Sequence, residues 1–229
     1  MAAVDRSLIA HMPLFVGLGP DDLDALLAEA RSVRLPKNTA VFTQGEDAHS
    51  FFLLLHGHVR AAKTTPSGQQ VVVRYVTPGE TFGVAVAIGL AQYPATATAV
   101  DDSVALAWPS SAWPRLEAQH PALAGNTLEM VGKRLQDSHA RVIEISTEQV
   151  ERRVARALLR LVQQAGRKVE AGIAVDFPIS RQDIAEMTGT TLHTVSRILS
   201  AWEDQGLVEG GRQRIVVCDP HKLFTLAED

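Results

Sequence analysis

The first half of the chain has two patterns of apolar positions, one helical and one typical of strands. After Pro20, an apolar stripe at i, i+3, i+4 and i+7 runs from Leu23 to Ala30 and predicts a short amphipathic helix. From Val33 to Trp108, short apolar runs alternate with polar, glycine-containing turns. The expected strands are Thr39–Phe42, Phe51–Leu55, Val59–Lys63, Val71–Val76, Ala95–Val100 and Val104–Trp108. Short strands joined by tight turns are typical of an antiparallel barrel or sandwich.

A long helix is predicted from Pro121 to Ser146 because its apolar positions are separated by 3, 4, 3, 4 and 3 residues. These positions, which we call the seam, are Leu128, Val131, Leu135, Ser138, Val142 and Ile145. No second helix with a matching pattern follows in the chain, so we expect the seam to pack against the same helix of a second copy. The alternative is that this helix packs against the chain's own barrel. Ser138 is polar and marks a candidate ligand site within the seam.

The segment Ser146–Gln149 predicts the end of this helix and the start of another, since Ser146 and Gln149 have capping-box spacing. We therefore expect a domain boundary at Ser146–Thr147 and a hinge at the same point. The next helix turns an apolar face toward a core. Its remaining surface carries four arginines, which we expect to form a solvated face, with contact to phosphate as the alternative: Arg152, Arg153, Arg156 and Arg160.

A helix-turn-helix is predicted between Ser180 and Leu207. Ser180 is the cap of the first helix, Gly189 lies in the turn, and the second helix runs from Thr191 to Glu203. The early residues of such a second helix enter the major groove of DNA. The candidate DNA-contacting residues are Thr190, Thr191, Leu192, His193, Thr194, Ser196 and Arg197, with Ser180, Arg181 and Gln182 from the first helix. The segments 206–211 and 214–218 predict a β-hairpin wing.

Composition narrows the class of protein. The 229 residues are 46% hydrophobic and carry a net charge of −4, which fits a globular protein and gives no general affinity for nucleic acid. Residues 1–146 hold 11 basic and 14 acidic side chains, and residues 147–229 hold 11 and 12, so DNA binding must depend on a local site. No apolar run is long enough to span a membrane, and we do not expect a secretory signal in the first ten residues. We expect a cytoplasmic protein without a membrane partner.

Several motifs match one known family, and they lie in the same order along the chain. They are Leu14-Phe15…Leu18, Val41-Phe42-x-x-Gly45-Glu46, Phe51-Phe52-Leu53-Leu54-x-x-Gly57-x-Val59, Pro78-Gly79-Glu80-x-Phe82-Gly83, Ser180-Arg181-Gln182-Asp183-Ile184-Ala185 and Thr194-Val195-Ser196-Arg197. The chain resembles the Crp/Fnr superfamily of transcription regulators over nearly its whole length. This resemblance implies an α+β fold: an N-terminal antiparallel β-roll (a jelly roll of the cyclic-nucleotide-binding type), a long dimerisation helix and a C-terminal winged helix-turn-helix. The corresponding domains are 1–120, 121–146 and 147–229.

The departures from the family pattern concern the effector. In the cyclic-nucleotide-binding members, a glutamate after Phe82-Gly83 holds the ribose, and an arginine-serine pair further on holds the phosphate. This chain has Val84 and Pro94-Ala95 there. An unpaired cyclic phosphate would be costly to bury, so cyclic AMP is not expected. The lone Cys218 likewise argues against an iron–sulfur cluster. The candidate effector pocket comprises Gly83, Val84, Pro94, Ala95, Thr96, Ser138 and His139.

Two segments, 93–97 and 189–197, are similar to the nitrogen-oxide-responsive Dnr/NnrR-type branch of the superfamily. That likeness implies a response to nitrogen oxides or to redox state. Some relatives in the branch bind haem, and His11 and His139 are the candidate axial ligands here.

Two other classes of protein share some of these features. A metal-dependent enzyme of the cupin type could use His56 and His58, which share one face of a strand, but the fitting glutamate is missing. A cyclic-nucleotide-binding module without DNA binding would leave the block from Ser180 to Cys218 unexplained. The sequence therefore predicts a non-enzymatic, homodimeric regulator whose partners are double-stranded DNA and RNA polymerase.

Overall fold

The structure is a computed structural model that describes residues 5–228, and its first half forms two antiparallel sheets. The strands are β1 (Arg31–Leu35), β2 (Ala40–Phe42), β3 (Ser50–His56), β4 (Val59–Thr64), β5 (Gln70–Val76), β6 (Thr81–Phe82), β7 (Thr96–Ala99) and β8 (Ser103–Pro109). One sheet has the order β1-β8-β3-β6 and the other β2-β7-β4-β5. The expected antiparallel architecture is confirmed. The pattern did not predict β1, which is mostly polar and exposed, or β6, which has two residues.

Strand β3 is apolar at consecutive positions rather than at alternate ones because both of its faces are buried. Phe51 and Leu53 belong to a core cluster with the surrounding helices, whereas Phe52 and Leu54 belong to a second cluster formed mainly by strand residues. Successive side chains of a strand point to opposite faces, so a strand that is buried on both faces must be apolar throughout. Its partner β8 has the same property, with Phe51 paired to Trp108 in the register.

Helices cover the first cluster and then lead out of the roll. They are α1 (Pro20–Glu29), α2 (Trp113–Gln119) and α3 (Pro121–Thr147). The predicted stripe of α1 is confirmed, since Leu23 and Leu26 are both buried in the cluster. The indole N–H of Trp108 donates to the carbonyl of Leu26 at 2.8 Å, which ties α1 to β8.

The junction after α3 differs from the prediction. The next helix, α4, is Val150–Ala165, and its N-cap residue is Gln149, without a capping hydrogen bond from a side chain. The predicted capping box between Ser146 and Gln149 is wrong. The Ser146 hydroxyl instead donates to the carbonyl of Val142 at 2.7 Å, inside the last turns of α3. Serine hydroxyls compete for nearby helix carbonyls in this way, so the spacing alone was not sufficient.

The arginines of α4 are also not the solvated face that their spacing suggested. Arg153 is buried, and it donates from Nη1 to the carbonyl of Ile145 at 2.9 Å. Arg160 pairs with Glu144 at 2.6 Å, while Glu148 accepts from the other two arginines of the helix. Arg153 and Arg160 therefore join α4 to the last turns of α3, and Arg152 and Arg156 join it to Glu148 in the connection. We call these four residues the arginine cluster.

The remainder of the chain forms a helical bundle with a small sheet. Its elements are β9 (Gly166–Val169), β10 (Gly172–Val175), α5 (Arg181–Thr188), α6 (Leu192–Asp204), β11 (Val208–Gly211), β12 (Arg214–Val217) and α7 (Pro220–Glu228). The sheet order is β11-β12-β10-β9. The predicted helix-turn-helix and wing are confirmed, whereas the β9–β10 hairpin was not predicted because it is short and its first strand is polar.

The described chain divides into two compact units. One contains the chain up to Lys63 together with Tyr75–Asp137, and the other contains Thr64–Arg74 and the chain from Ser138 onward. None of the helices formed by residues 5–228 is long and apolar enough to cross a membrane.

Candidate nucleic-acid interface

The first helix of the helix-turn-helix begins at a capping box. The Ser180 hydroxyl accepts from the backbone N–H of Asp183 at 3.1 Å, and the Asp183 carboxylate accepts from the backbone N–H of Ser180 at 2.8 Å. Two backbone donors that the helix would otherwise leave unpaired are thus satisfied. The predicted role of Ser180 as a cap is confirmed.

The turn between the two helices depends on a glycine. Gly189 has φ of +64°, the left-handed conformation that side chains disfavour, and it ends α5 as the C-cap. Two residues later, Thr191 caps α6 by accepting from the backbone N–H of Thr194 at 3.2 Å. The two caps fix the short connection, so the first turn of α6 has a defined direction.

Helix α6 separates a buried face from a polar one. Val195, Ile198, Leu199 and Trp202 are buried, as predicted. The candidate DNA-contacting residues lie on the rest of its first turns: Thr191, Leu192, His193 and Arg197 are exposed, and Thr194 and Ser196 are half-buried. Thr190, in the turn, is half-buried as well. The structure thus brings the candidates of α6 onto one continuous surface.

Arg197 differs from Arg181, the arginine at the start of α5. It is exposed and, within the described chain, has neither an ion pair nor a side-chain hydrogen bond. Arg181 is instead turned onto α6, where its Nη2 lies 2.7 Å from Glu203 Oε1. Gln182 is exposed and donates to Glu186 at 2.9 Å. A free, planar guanidinium can bind the two acceptors that guanine presents in the major groove.

The wing contributes a basic side chain that the sequence reasoning did not single out. Arg212 is exposed at the tip between β11 and β12. The next residue, Gln213, has φ of +54°, and its carbonyl accepts from the backbone N–H of Ile179 at 3.2 Å. This bond fixes the tip to the segment just before Ser180. The sequence could have indicated this residue, because Arg212 lies between the two predicted strands of the wing and a wing tip can approach the phosphate backbone of DNA.

The candidate effector residues of the roll lie beside a cluster of aromatic rings. Phe42 stacks on Tyr93 with ring centroids 3.8 Å apart, and a Cβ added at Gly83 would lie 3.1 Å from the rings of Phe42 and Phe52. Val84 is buried and belongs to the cluster around the helices. Pro94 is exposed, Ala95 and Thr96 are half-buried, and the Thr96 hydroxyl accepts from the backbone N–H of Gln44.

Tyr93 is held at this place by its hydroxyl. The hydroxyl donates to the carbonyl of Ser50 at 2.6 Å and accepts from the backbone N–H of Ser50 at 3.0 Å. Burial raises the pKa of the Tyr93 phenol above its ordinary value, because the charged phenolate would lose its hydration. The phenol therefore remains a donor at neutral pH.

The remaining candidate ligand residues are Ser138, His139 and His11. Ser138 and His139 are exposed on α3, and His11 is exposed in a turn near the N-terminus, so the haem ligands remain a prediction. His58 pairs through Nδ1 with Asp101 at 2.7 Å. Among residues 5–228, no group of three or more His, Cys, Asp or Glu side chains is arranged to hold a metal ion.

The seam of α3 is largely exposed in the single chain. The exposed fractions are 73% for Leu128, 55% for Leu135, 62% for Val142 and 48% for Ile145. Val131 is half-buried. Contiguous large apolar side chains are rarely exposed to solvent, so this face of α3 has the character of an interaction surface.

Comparison with known proteins agrees with both halves of the chain. Residues 32–120 match the cyclic nucleotide-binding domain, and residues 152–226 match the Crp-like helix-turn-helix domain. The cyclic AMP receptor protein of Thermus thermophilus is 31% identical over 215 residues, covering 94% of this chain and 96% of that protein. The transcriptional activator protein FnrA of Stutzerimonas stutzeri is 24% identical over 220 residues, covering 96% and 90%.

A solved structure has the same fold. FixK2 from Bradyrhizobium japonicum aligns with a TM-score of 0.75 at 24% identity, covering 86% of this chain and 96% of that one. The Stutzerimonas stutzeri relative is named as a transcriptional activator, and with the matched helix-turn-helix domain this name favours a regulator over the metal-dependent enzyme. Since a relative above 30% identity covers nearly the whole chain and both domain types match in order, the chain belongs to the Crp/Fnr family of DNA-binding transcription regulators.

Proposed function

We propose that the chain binds a palindromic DNA site as a homodimer, with the first turns of α6 in the major groove and Arg197 reading a guanine in each half-site. The observation that carries this proposal is the unpaired, exposed guanidinium of Arg197 beside Ser196 and His193. Half-sites for two such helices lie about 34 Å apart, one turn of DNA. Arg212 at the wing tip is suited to a phosphate contact, which positions the protein without specifying sequence.

The dimer is proposed to form through the seam of α3. Two exposed apolar rows of this kind can cover each other in a parallel pair of helices, with Ser138 as the one polar position. A two-fold symmetric dimer presents its two recognition helices to a palindrome, so the oligomeric state and the form of the DNA site are linked.

The effector is proposed not to be cyclic AMP. Val84 is buried among apolar side chains, and Pro94-Ala95 supplies no positive charge for a phosphate. The Thermus thermophilus relative is named for cyclic AMP, so this chain would differ from it in its signal. We also propose that the chain responds to nitrogen oxides or to redox state. Its proposed partners in the cytoplasm are DNA and RNA polymerase.

Selection of bound sequences from a random DNA pool tests the role of α6. Wild type should select a palindrome with a guanine in each half-site. Arg197→Ala should lose specific binding at a cost of ~1–3 kcal/mol per contact while keeping weak, salt-sensitive binding. His193→Ala should change the preference at one base pair per half-site, because an imidazole can exchange a single hydrogen bond with a base edge.

The matched control is Lys222→Ala, which removes one positive charge from an exposed position on α7. Its selected sequence should equal that of the wild type. An unchanged consensus for Arg197→Ala would overturn the assignment of α6 as the recognition helix.

A further inference from the structure

Arg181 has the sequence position of a DNA-contacting residue but is bonded within the protein. Its Nη2 donates to Glu203 Oε1 at 2.7 Å, and its Nη1 lies 3.3 Å from the Ser200 hydroxyl and 3.4 Å from the Ser196 carbonyl. The three acceptors follow one side of α6 over about two turns. A single planar group at the start of α5 therefore contacts the recognition helix along most of its length.

The wing closes on the same ion pair. A Cβ placed on Gly210 in β11 would lie 2.2 Å from Glu203 Oε1 and 3.4 Å from Arg181 Nη2. The backbone of β11 can approach the pair this closely because residue 210 has no side chain. A cavity of about 120 Å³ lies between α5, α6 and the wing beside this contact, so apolar packing does not fill the junction.

We propose that Arg181 is a positioning residue, which fixes α6 and the wing relative to α5 through Glu203, rather than a residue that binds DNA phosphate. The proposal rests on the proposed function, in which α6 reads bases. The Ser196 carbonyl that Arg181 reaches precedes Arg197 directly in the chain. A small rotation of α6 would move the Arg197 guanidinium away from a guanine edge, and close contacts of this type depend strongly on position.

The alternative role makes the opposite prediction for the partner residue. If Arg181 bound phosphate, Glu203 would compete for it, and Glu203→Gln would free the guanidinium and tighten DNA binding. If Arg181 positions α6, Glu203→Gln removes the anchor and weakens specific binding although the protein has become less negative. The sign of this change separates the two roles.

Gly210→Ala provides a test that changes no charge. The added methyl group meets the end of the flexible Glu203 side chain, which can move aside at little cost in stability. The displaced carboxylate then no longer meets Arg181 in the same geometry. We expect this variant to resemble Glu203→Gln in DNA binding while keeping nearly the wild-type melting temperature.

The experiment measures the affinity of the full chain for its selected palindrome and for unrelated DNA over a range of salt concentrations. Arg181→Gln, Glu203→Gln and Gly210→Ala should each weaken binding to the palindrome by about tenfold and leave binding to unrelated DNA nearly unchanged. The slope of log affinity against log salt should stay that of wild type. Loss of a phosphate contact would instead reduce the slope by about 1 per subunit for Arg181→Gln and weaken both DNAs alike.

Two further variants complete the test. The exchange Arg181→Glu with Glu203→Arg should restore most of the specific affinity, since it rebuilds the pair with reversed polarity. Arg167→Gln breaks an exposed pair with Asp176 on the β9–β10 hairpin and should change nothing. Tighter binding by Glu203→Gln, or no recovery in the exchange variant, would overturn the positioning role.

The pair can also be tested without DNA, so failure of this inference is distinguishable from failure of the proposed function. A double-mutant cycle on residues 181 and 203, measured by urea unfolding, should give a coupling free energy. The stability loss of the double variant should therefore differ from the sum of the two single losses. Absence of coupling overturns the positioning role. If coupling is present but the wild-type chain has no sequence preference, the proposed function fails while the link between α5 and α6 is upheld.

Discussion

Val84, Pro94 and Ala95 are the three residues of the roll on which the proposal against cyclic AMP rests. Each replaces a polar or charged group of the cyclic-nucleotide-binding pattern with an apolar side chain. We predict that calorimetry with millimolar cyclic AMP gives no saturable heat, because the cyclic phosphate would have no positive partner. The Thermus thermophilus cyclic AMP receptor protein serves as the parallel control. Saturable binding at micromolar concentration would show that other residues of the roll hold the phosphate.

Single residues also show where sequence reasoning succeeds and where it stops. The cap at Ser180 and the turn at Gly189 could be predicted because each depends on local backbone needs that few residue types satisfy. The bonding of Arg181 could not, since its partner Glu203 is 22 residues away and becomes a neighbour only after α5 and α6 have packed. A long, flexible arginine has the same sequence signature whether it meets phosphate or carboxylate.

At the scale of elements, the arginine cluster joins α3 to α4 across the junction at residues 148–149. Arg153 is buried and bonded to the Ile145 carbonyl, while Arg152 is more exposed and pairs with Glu148. We predict that Arg153→Ala lowers the stability of this unit by about 2 kcal/mol, from the lost hydrogen bond and the lost packing of its stem. Arg152→Ala, the matched control, should cost less than about 1 kcal/mol.

Urea unfolding of both variants measures the difference. Equal stability losses would mean that the buried bond to Ile145 contributes no more than an exposed ion pair. The cluster also bears on the hinge that the sequence placed at Ser146–Thr147. The bonds of Arg153 and Arg160 to residues of α3 oppose bending at that point, and the division into compact units falls earlier in α3, at Asp137–Ser138.

Most elements of the fold could be predicted because their periodicity is strong or their turns contain glycine. The elements that were not predicted are short and polar, as β1 and the β9 strand illustrate. Such strands form because neighbouring strands supply their hydrogen bonds, for example Arg31–Leu35 along β8. The information for them lies in the partner strand and not in their own residues.

At the scale of the whole molecule, we predict that the exposed seam controls both oligomeric state and DNA affinity. Leu135→Glu with Val142→Glu should give monomers, because charges facing each other in a helix pair are repelled and desolvated. These monomers should bind the palindrome weakly, since the two half-sites are then occupied independently.

Sedimentation analysis and a binding titration test this prediction together. Lys133→Glu, which lies on the opposite side of α3 from the seam, is the control and should remain dimeric. If the double variant remains dimeric, a surface other than the seam forms the dimer interface.

Burial of β3 on both faces has a consequence for how the roll loses its structure. Phe51 stacks on Trp108 among the helices, while its neighbour Phe52 stacks on Phe82 in the other cluster. Neither cluster can open without exposing the backbone of the strand they share, so the two layers should melt in one transition rather than in sequence. The backbone amides of β3 should then be the last in this unit to exchange their hydrogens with the solvent, and damage to the helical layer should shorten their protection.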